Sequence, residues 1–389
     1  MLLRLRQTVS DADYPTGRIL ERGHTYRFPF TFIVPDRLPP QVCKHAKASD
    51  DFEHAHTLLP PSLGDPMIAS NGGSLLDDMC SEMCQISYMI RVDVLKSQAA
   101  DKTPTPMASV AKKVRIIPAV EEAPPLDVSD HNGVYWDRRE KDVRRGLMRA
   151  KFGRITAEAL QPKPVYLFPP TCDTRDSVGT FATVQLLFYP VGDEQPPRLS
   201  TLSSKLRVST FYADHAMDGL PSQTVNNIQP GRAAYVEHVP LSTLCIASAS
   251  WTEHTETRRS SVESRASCQS STLSTLGTGT TYYTSSIIVP VNLPKGKAFV
   301  PTFDSCLVSR SYALDLNLSY RTPNPNIVNP SIALRIPIQV ACQQKVGNGT
   351  YPPPPDDIKE EVDEIFRPRR IAPPCPEYTE RAQSPEDTL

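Results

Sequence analysis

The sequence of 389 residues has no apolar run that approaches the roughly 20 residues of a membrane-spanning helix. Its net charge of −1 gives no support for a nucleic-acid-binding protein. The N-terminal residues MLLRLRQTVSDADYP lack the apolar segment and the small-residue cleavage site of a secretory signal. The nine cysteines are an odd number without the spacing of a disulfide framework, so they indicate reduced thiols in a cytoplasmic protein.

Sequence motifs for catalysis and for phosphate binding are also missing. The chain has no G-x-S-x-G turn, and Gly277-Thr278-Gly279 lacks the lysine and the helix of a phosphate-binding loop. No Cys/His pair or pair of carboxylates stands in an arrangement typical of a catalytic site. We therefore expect a protein that is not an enzyme and that needs no cofactor.

Six thiol and imidazole side chains in the N-terminal part of the chain are chemically suited to bind zinc. They are Cys43, His45, His54, His56, Cys80 and Cys84. Their spacing matches none of the common closed zinc sites, and Cys80-x3-Cys84 is a weak signal by itself. We interpret them as ordinary loop residues and predict no metal site.

The clearest structural pattern in the sequence is an alternation over residues 312–320. Its apolar and aromatic members are Tyr312, Leu314, Leu316, Leu318 and Tyr320. A helix would distribute these side chains around its axis, whereas a strand places them all on one face. The pattern therefore predicts a strand with one face in a hydrophobic core.

An earlier segment, residues 25–94, repeats this organisation. Apolar residues alternate there at Phe28, Phe30, Phe32 and Val34. Both copies also contain a Val-Pro pair and a Leu-Pro pair that are four residues apart. These pairs lie within residues 34–39 and 289–294. The 39 prolines, about twice the usual fraction, favour short strands joined by long irregular connections. We predict an all-β fold with two copies of one β-domain.

These patterns divide the chain into four parts. We assign 1–135 to a first lobe, 136–160 to a basic linker, 161–345 to a second lobe with a disordered serine-rich insertion at 252–279, and 346–389 to a proline-rich acidic tail. The first lobe has too few convincing strands to close a sandwich of roughly seven. We therefore expect that lobe to be incomplete or open at one edge.

Strands are predicted in both lobes. In the first lobe they span Leu2 to Val9, Tyr26 to Val34, Ile86 to Leu95 and Lys113 to Ile117. In the second lobe they span Thr183 to Tyr189, Lys205 to Ala213, Ala234 to Leu241, Ile246 to Trp251, Tyr282 to Val289, Leu307 to Tyr320 and Ile332 to Val340. The second set is large enough to close a sandwich.

The segment 137–154 is strongly basic, with eight basic residues against three acidic ones. Apolar residues at near-helical spacing allow a short amphipathic helix, whereas Gly146 and Gly153 lower its stability and favour a solvated linker. As a helix it would contact an anionic membrane surface. The candidate contact residues are Arg138, Arg139, Arg144, Arg145, Arg149, Lys151 and Arg154.

One serine in the predicted insertion is a candidate phosphorylation site. The residues Arg258-Arg259-Ser260-Ser261 fit the preference of a basophilic kinase, and Ser261 is the candidate acceptor. A phosphate there would change the local charge. Because such short patterns are common by chance, an unmodified loop is the alternative.

Several stretches of the chain resemble one protein family. They are GHTYRFPFTFIVPDRLPP (23–40), LPPSLGDP (59–66), PPRLSTLSSKLRVSTFY (196–212), KGKAFVPTFDSCLVSRSYALDLNLSY (295–320) and IAPPCPEYTERAQ (371–383). Together they resemble fungal arrestin-related trafficking adaptors, the α-arrestins. The resemblance implies two tandem arrestin-like, immunoglobulin-like β-sandwich lobes.

The resemblance also implies a function. Such an adaptor is cytoplasmic, is recruited to the plasma membrane and endosomes, and engages a membrane transporter or receptor as cargo. A PPxY motif in its tail recruits the WW domains of a HECT-type ubiquitin ligase for ubiquitin-dependent endocytosis. Here Pro376 and Tyr378 retain P-x-Y, but Cys375 replaces the first proline. The alternatives are an unbound flexible tail and a sorting scaffold that binds cargo or coat proteins without a ligase.

Overall fold

A computed structural model of the chain describes residues 3–39, 42–45, 47, 49–65, 76–96, 105–128, 133–144, 150–168, 177–221, 229–256, 280–321, 329–342 and 369–370. Two parts of the chain differ in their architecture. We call residues 3–128 the N-terminal region and residues 133–342 the sandwich.

The N-terminal region has little regular structure. Two short 3-10 helices span Asp11–Asp13 and Thr16–Arg18, and a single α-helix among the described residues, α1, spans Asp50–Thr57. The strands of this region are β1 (Tyr88–Lys96), β2 (Thr105–Val114) and β3 (Leu126–Asp127). Strands β1 and β2 pair only with each other, as an antiparallel ribbon.

The sandwich contains most of the strands. They are β4 (Arg138–Arg144), β5 (Lys151–Ala159), β6 (Val165–Leu167), β7 (Thr180–Pro190), β8 (Arg198–Ala213), β9 (Arg232–Cys245), β10 (Thr252–Glu256), β11 (Thr280–Val291), β12 (Phe303–Asp304), β13 (Val308–Arg321), β14 (Ser331–Ile338) and β15 (Val340–Cys342). Beyond it, β16 (Arg369–Arg370) pairs in parallel with β3.

Two antiparallel sheets of five strands make up most of the sandwich, and its two remaining strands, β6 and β15, pair in parallel with each other. One sheet has the order β10-β11-β7-β5-β4, and the other has β9-β8-β13 with both β12 and β14 beside β13. Buried side chains of both sheets join in one hydrophobic cluster. The predicted all-β class is therefore confirmed, and hydrophobic burial between two sheet faces is what holds them together.

Strand β13 lies where the alternation in the sequence predicts a strand. Leu314 and Leu316 are 0% and 2% exposed, and Leu314 stands opposite Leu206 of β8 and Ile336 of β14. Because β13 has a neighbouring strand on each side, its backbone N–H and C=O groups form hydrogen bonds, and one of its faces is buried. Each fully buried leucine contributes on the order of 2 kcal/mol of hydrophobic free energy.

The early alternating segment behaves differently. Residues 26–34 form no strand, and Phe30 and Ile33 are 52% and 85% exposed. Residues 3–9 likewise form no strand, so the two segments do not pair with each other as neighbouring strands. The prediction of strands there is wrong, because alternation alone cannot satisfy backbone donors without a neighbouring strand. The duplication inferred from these two segments is not confirmed.

The prediction of a basic linker at 136–160 is wrong. Within this range, residues 138–144 and 151–159 form β4 and β5, which pair as antiparallel neighbours in the first sheet. Strand β5 is central, and Ile155 and Ala157 are fully buried. Gly153 is needed for packing, because a Cβ atom there would lie 2.2 Å from the Phe188 ring. The helical alternative is wrong for the same residues, since cross-strand pairing outweighs their near-helical spacing.

The first residues of the predicted serine-rich insertion, 252–279, form a strand. Residues 252–256 form β10, which pairs with β11, whereas residues 246–251 form no strand. Residues 257–279 lie outside the described part of the chain, as does the predicted tail except for Arg369 and Arg370.

Candidate functional site

Several of the predicted site residues cannot be placed. Pro376 and Tyr378 of the predicted ligase-docking motif and Ser261 of the predicted phosphorylation site lie outside the described residues. Arg145 and Arg149 of the basic segment also lie outside them. These assignments therefore stay predictions from the sequence.

The other basic residues lie on the β4–β5 hairpin, where acidic residues accompany them. Arg138 forms ion pairs with Glu140 at 3.2 Å and with Glu158 at 3.8 Å. Lys151 and Arg154 approach Asp142 at 2.7 and 3.4 Å. These pairs offset much of the positive charge that the sequence suggests for this surface.

Arg139 makes a different contact on the same hairpin. Its guanidinium lies 4.7 Å from the centre of the Trp136 ring, and the Arg335 guanidinium lies 4.4 Å from that ring. Backbone hydrogen bonds of 2.9 and 3.0 Å join Trp136 to Arg335 of β14. Cation–π contacts of this kind attach the hairpin to the opposite sheet. Arg139 therefore has a structural role in the sandwich.

A buried arginine joins the N-terminal region to the sandwich. Arg310 of β13 is fully buried, and its guanidinium donates hydrogen bonds to the carbonyl oxygens of Asp78 and Met79 at 3.1 and 3.2 Å. Nearby, Lys297 donates to carboxylates of Asp77 and Glu237 at 2.6 and 2.7 Å. These contacts hold residues 77–79 against the second sheet.

Apolar side chains complete this junction. Leu63 and Ile86 of the N-terminal region pack with Val300 and Phe303 of the sandwich in a second buried cluster. Leu63 and Ile86 also exchange backbone hydrogen bonds of 3.0 and 2.8 Å. The N-terminal region is therefore attached to the sandwich by side chains of both polarities.

Four sulfur and nitrogen ligands converge at another point of contact between the two parts. They belong to Cys43, His45, His56 and Cys306, and their ligand atoms all lie within 4.8 Å of one another. The Cys43 Sγ atom lies 3.0 Å from His45 Nε2, 3.8 Å from His56 Nδ1 and 3.2 Å from Cys306 Sγ. We call these four residues the Cys/His cluster.

Local structure positions each member of the Cys/His cluster. His56 lies in the last turn of α1, a helix capped by the Ser49 hydroxyl, which accepts a hydrogen bond from the Phe52 amide. Cys306 lies in the turn between β12 and β13, where its carbonyl accepts a hydrogen bond from the Met217 amide at 2.8 Å. Both side chains are thus held by ordered backbone.

Burial determines the protonation of two members of the cluster. It lowers the pKa of His56 to about 4, with smaller contributions from the neighbouring His45 and Lys47 side chains. It also raises the pKa of the Cys306 thiol to about 12, together with a hydrogen bond to Cys43. Without a cation, the buried imidazole is therefore neutral and the Cys306 thiol is protonated at neutral pH.

The structure brings together only some of the six side chains that are chemically suited to bind zinc. Cys43, His45 and His56 come together, whereas His54 contacts Arg37 and Cys80 donates its thiol hydrogen to the Cys84 carbonyl. The fourth member, Cys306, is 263 residues from Cys43. Sequence spacing carried no signal for it, because local spacing cannot show a partner on a distant turn.

Among the described residues, no helix is long and apolar enough to cross a membrane. No protein-family model matches this chain, and no curated protein matches it either.

Proposed function

We propose that this chain is a non-enzymatic adaptor of the arrestin-related type. Its β-sandwich would hold a membrane transporter or receptor, and its C-terminal segment would recruit a HECT-type ubiquitin ligase through a WW domain. The adaptor would act from the cytoplasm at the plasma membrane and endosomes, where recruitment leads to ubiquitin-dependent endocytosis of the cargo.

The observation that carries the proposal is the packing of the stretches that resemble the family. Residues 196–212 and 295–320 supply β8 and β13, which pair side by side at the centre of one sheet. Residues 59–65 pack on the same stretch, because Leu63 belongs to the buried cluster that contains Val300 and Phe303. Segments distant in the sequence thus form one continuous structural unit, as expected if they belong to one architecture.

One pocket among the described residues is small. It lies among Tyr135, Gln161, Tyr312 and Gln339 and has a volume of about 50 Å³. Ligand pockets usually enclose about 300–1,000 Å³. This pocket is therefore too small for a typical small-molecule substrate.

Recruitment would work by raising the effective concentration of the ligase beside the cargo. Pro376 follows Arg370 by six residues, so chain connectivity keeps it within about 20 Å of β16. Because β16 pairs with β3, a ligase bound at Tyr378 would be held close to the β3 side of the molecule. A WW domain would clamp Pro376 between aromatic rings and accept Tyr378 beside it.

The β4–β5 hairpin would add contact with the membrane surface. Arg138 and Arg154 are about half exposed, at 56% and 51% of their side-chain area, so they are available to an anionic membrane surface. Their ion pairs with acidic neighbours reduce the attraction that each basic residue could add, which is about 1 kcal/mol without such neighbours. Membrane contact at this hairpin would therefore assist cargo binding without replacing it.

A pull-down of the full-length chain with isolated WW domains tests the proposal. We expect Tyr378→Ala to reduce binding by at least about tenfold, since the tyrosine pocket would lose its occupant. The matched control is Tyr351→Ala, which removes a tyrosine beside a different proline run and should leave binding unchanged. Cys375→Pro restores a full PPxY motif and should strengthen binding.

Equal binding by the wild-type chain and Tyr378→Ala would remove the ligase from this site. Cargo that is still internalised by the Tyr378→Ala chain would then support the sorting scaffold, which holds cargo or coat proteins without a ligase.

A further inference from the structure

The Cys/His cluster lies where the N-terminal region meets the sandwich, and none of its four residues is among those assigned to ligase or membrane contact. We propose that Cys43, His45, His56 and Cys306 bind one Zn²⁺ ion as a structural site. The proposal does not depend on the adaptor function.

The geometry of the cluster suits a tetrahedral ion. Zinc binds thiolate sulfur at about 2.3 Å and imidazole nitrogen at about 2.0–2.1 Å, so neighbouring ligand atoms of a tetrahedral site lie about 3.3–3.8 Å apart. Three of the observed separations are 3.0, 3.2 and 3.8 Å, and none within the cluster exceeds 4.8 Å. Small rotations of the side chains would therefore bring all four atoms into contact with one ion.

The chemistry of the donors also favours zinc. Two thiolates and two neutral imidazoles form a common structural zinc set, and two thiolates neutralise the charge of the ion. Three of the four residues, Cys43, His56 and Cys306, are buried, so the site is closed to solvent on most sides. Closed four-ligand sites of this kind stabilise a fold, whereas catalytic zinc sites keep a position open.

The surroundings hold the donors in place. The Phe52 ring lies 3.8 Å from the His56 ring, between centroids, and Phe52 is 2% exposed. Lys47 donates to the Cys43 carbonyl at 3.2 Å and pairs with Glu53 at 2.9 Å, which closes the loop before α1.

A disulfide between Cys43 and Cys306 is the competing arrangement. The two Sγ atoms are 3.2 Å apart, beyond the roughly 2.05 Å of a disulfide bond. A disulfide would also leave two buried or half-buried imidazoles directed at the same sulfur atom without a role.

The proposed ion would connect three distant parts of the chain. Cys43 and His45 come from an irregular segment, His56 from α1, and Cys306 from the turn between β12 and β13. Binding would therefore fasten the N-terminal region to the sandwich in the folded state. Because the four ligands meet only when the chain is folded, zinc affinity would add directly to the stability of this junction.

The test begins with the metal content of the full-length protein, purified under reducing conditions without chelators. We expect one equivalent of zinc, and after removal and titration with Co²⁺ we expect the intense visible absorption of a tetrahedral thiolate complex. The Cys306→Ser and His56→Gln chains should bind zinc more weakly by at least about 100-fold, since loss of a direct ligand exceeds the 10–100-fold cost of losing its neighbours.

The matched control is Cys84→Ser, which removes another buried thiol of the N-terminal region outside the cluster. It should retain zinc and the cobalt spectrum. Hydrogen exchange of the wild-type chain gives a second measurement that does not need a variant to fold: chelation should speed exchange in residues 42–57 and leave β8 and β13 unchanged.

Three results would overturn the proposal. One is a wild-type chain that binds no zinc and gives no tetrahedral cobalt spectrum. Another is a Cys306→Ser chain that retains zinc as well as Cys84→Ser does. The third is a Cys43–Cys306 disulfide detected by non-reducing mass spectrometry in protein that has never been exposed to oxidant.

Discussion

The N-terminal region and the sandwich contain similar alternating segments, yet only the sandwich converts them into sheets. Phe30 and Leu316 both stand in runs of alternating apolar residues, but Phe30 is 52% exposed and Leu316 is 2% exposed. Leu316 has hydrogen-bonded strands on both sides, whereas the segment around Phe30 has none. Alternation thus describes which side chains can share a face, and neighbouring strands determine whether that face is buried.

The β1–β2 ribbon is an intermediate case. Its strands pair over their whole length, but Val92 and its partner Val110 are 55% and 70% exposed because no second sheet covers them. An isolated two-stranded ribbon is marginally stable in water. Backbone pairing without a packed face therefore gives this region much less stability than the sandwich has.

We expect the largest difference in stability between the two parts when one phenylalanine in each part is replaced by alanine. Phe188 is fully buried among the Phe152, Trp251 and Tyr283 rings, so Phe188→Ala should lower the free energy of unfolding by about 4 kcal/mol. Phe30→Ala should change it by less than about 0.5 kcal/mol, as for other surface substitutions. Denaturant unfolding measures both values. Similar costs for the two substitutions would show that residues 26–34 are packed.

The next largest loss of stability is expected for a substitution at the junction between the two parts. Arg310→Gln leaves the Asp78 and Met79 carbonyls without their guanidinium donor and should cost about 3 kcal/mol. Arg310→Lys should recover little of this, because an ammonium cannot reproduce the planar fork. The half-exposed Arg154 provides the control, and Arg154→Gln should cost less than about 1 kcal/mol.

Hydrogen exchange localises the effect of Arg310. In Arg310→Gln, we expect faster exchange in residues 77–88 and unchanged exchange in β7. Uniformly faster exchange over the whole sandwich would instead mean that Arg310 supports the core and not the junction.

The smallest effect is expected for the exposed ion pairs of the same junction. Lys297 hydrogen-bonds Asp77 and holds the pKa of that carboxyl below its ordinary value of 3.8. Because the folded-state pKa lies below the unfolded-state pKa, the pair stabilises the fold above the unfolded value, and the stabilisation is lost as the pH falls through the folded value. Lys297→Met should therefore cost about 0.5 kcal/mol near neutral pH.

Unfolding of Lys297→Met at several pH values and salt concentrations measures this contribution. The cost should disappear in acid and shrink in high salt, since both remove the attraction between exposed charges. Lys112→Met, at an exposed position of β2, is the control. An effect of Lys297→Met that persists unchanged in acid would show that its stem packing matters more than its charge.

The strands of the sandwich were predictable from sequence to a useful degree. The predicted strands at 183–189, 205–213, 234–241 and 307–320 overlap β7, β8, β9 and β13. Each carries a period-two pattern that one buried face requires. Strands β4 and β5 escaped this prediction because β4 is an edge strand whose charged side chains are mostly exposed, so its sequence resembles a linker.

The candidate metal site was only partly predictable. Cys43, His45 and His56 were recognisable as zinc donors by their chemistry, but their spacing argued against a site. Cys306 completes the set from a turn between two strands of the other part of the molecule. No property of residues 305–307 in the sequence distinguishes this thiol from the other cysteines.

The sequence by itself determined that the chain is all-β and which side chains of β13 face the core, since both follow from local periodicity. Only the tertiary structure decided that residues 138–144 and 151–159 complete a sheet, that residues 26–34 form no strand, and that Cys306 meets Cys43. Each of these outcomes depends on contacts between residues far apart in the chain, whose energies come from partners that no local pattern specifies.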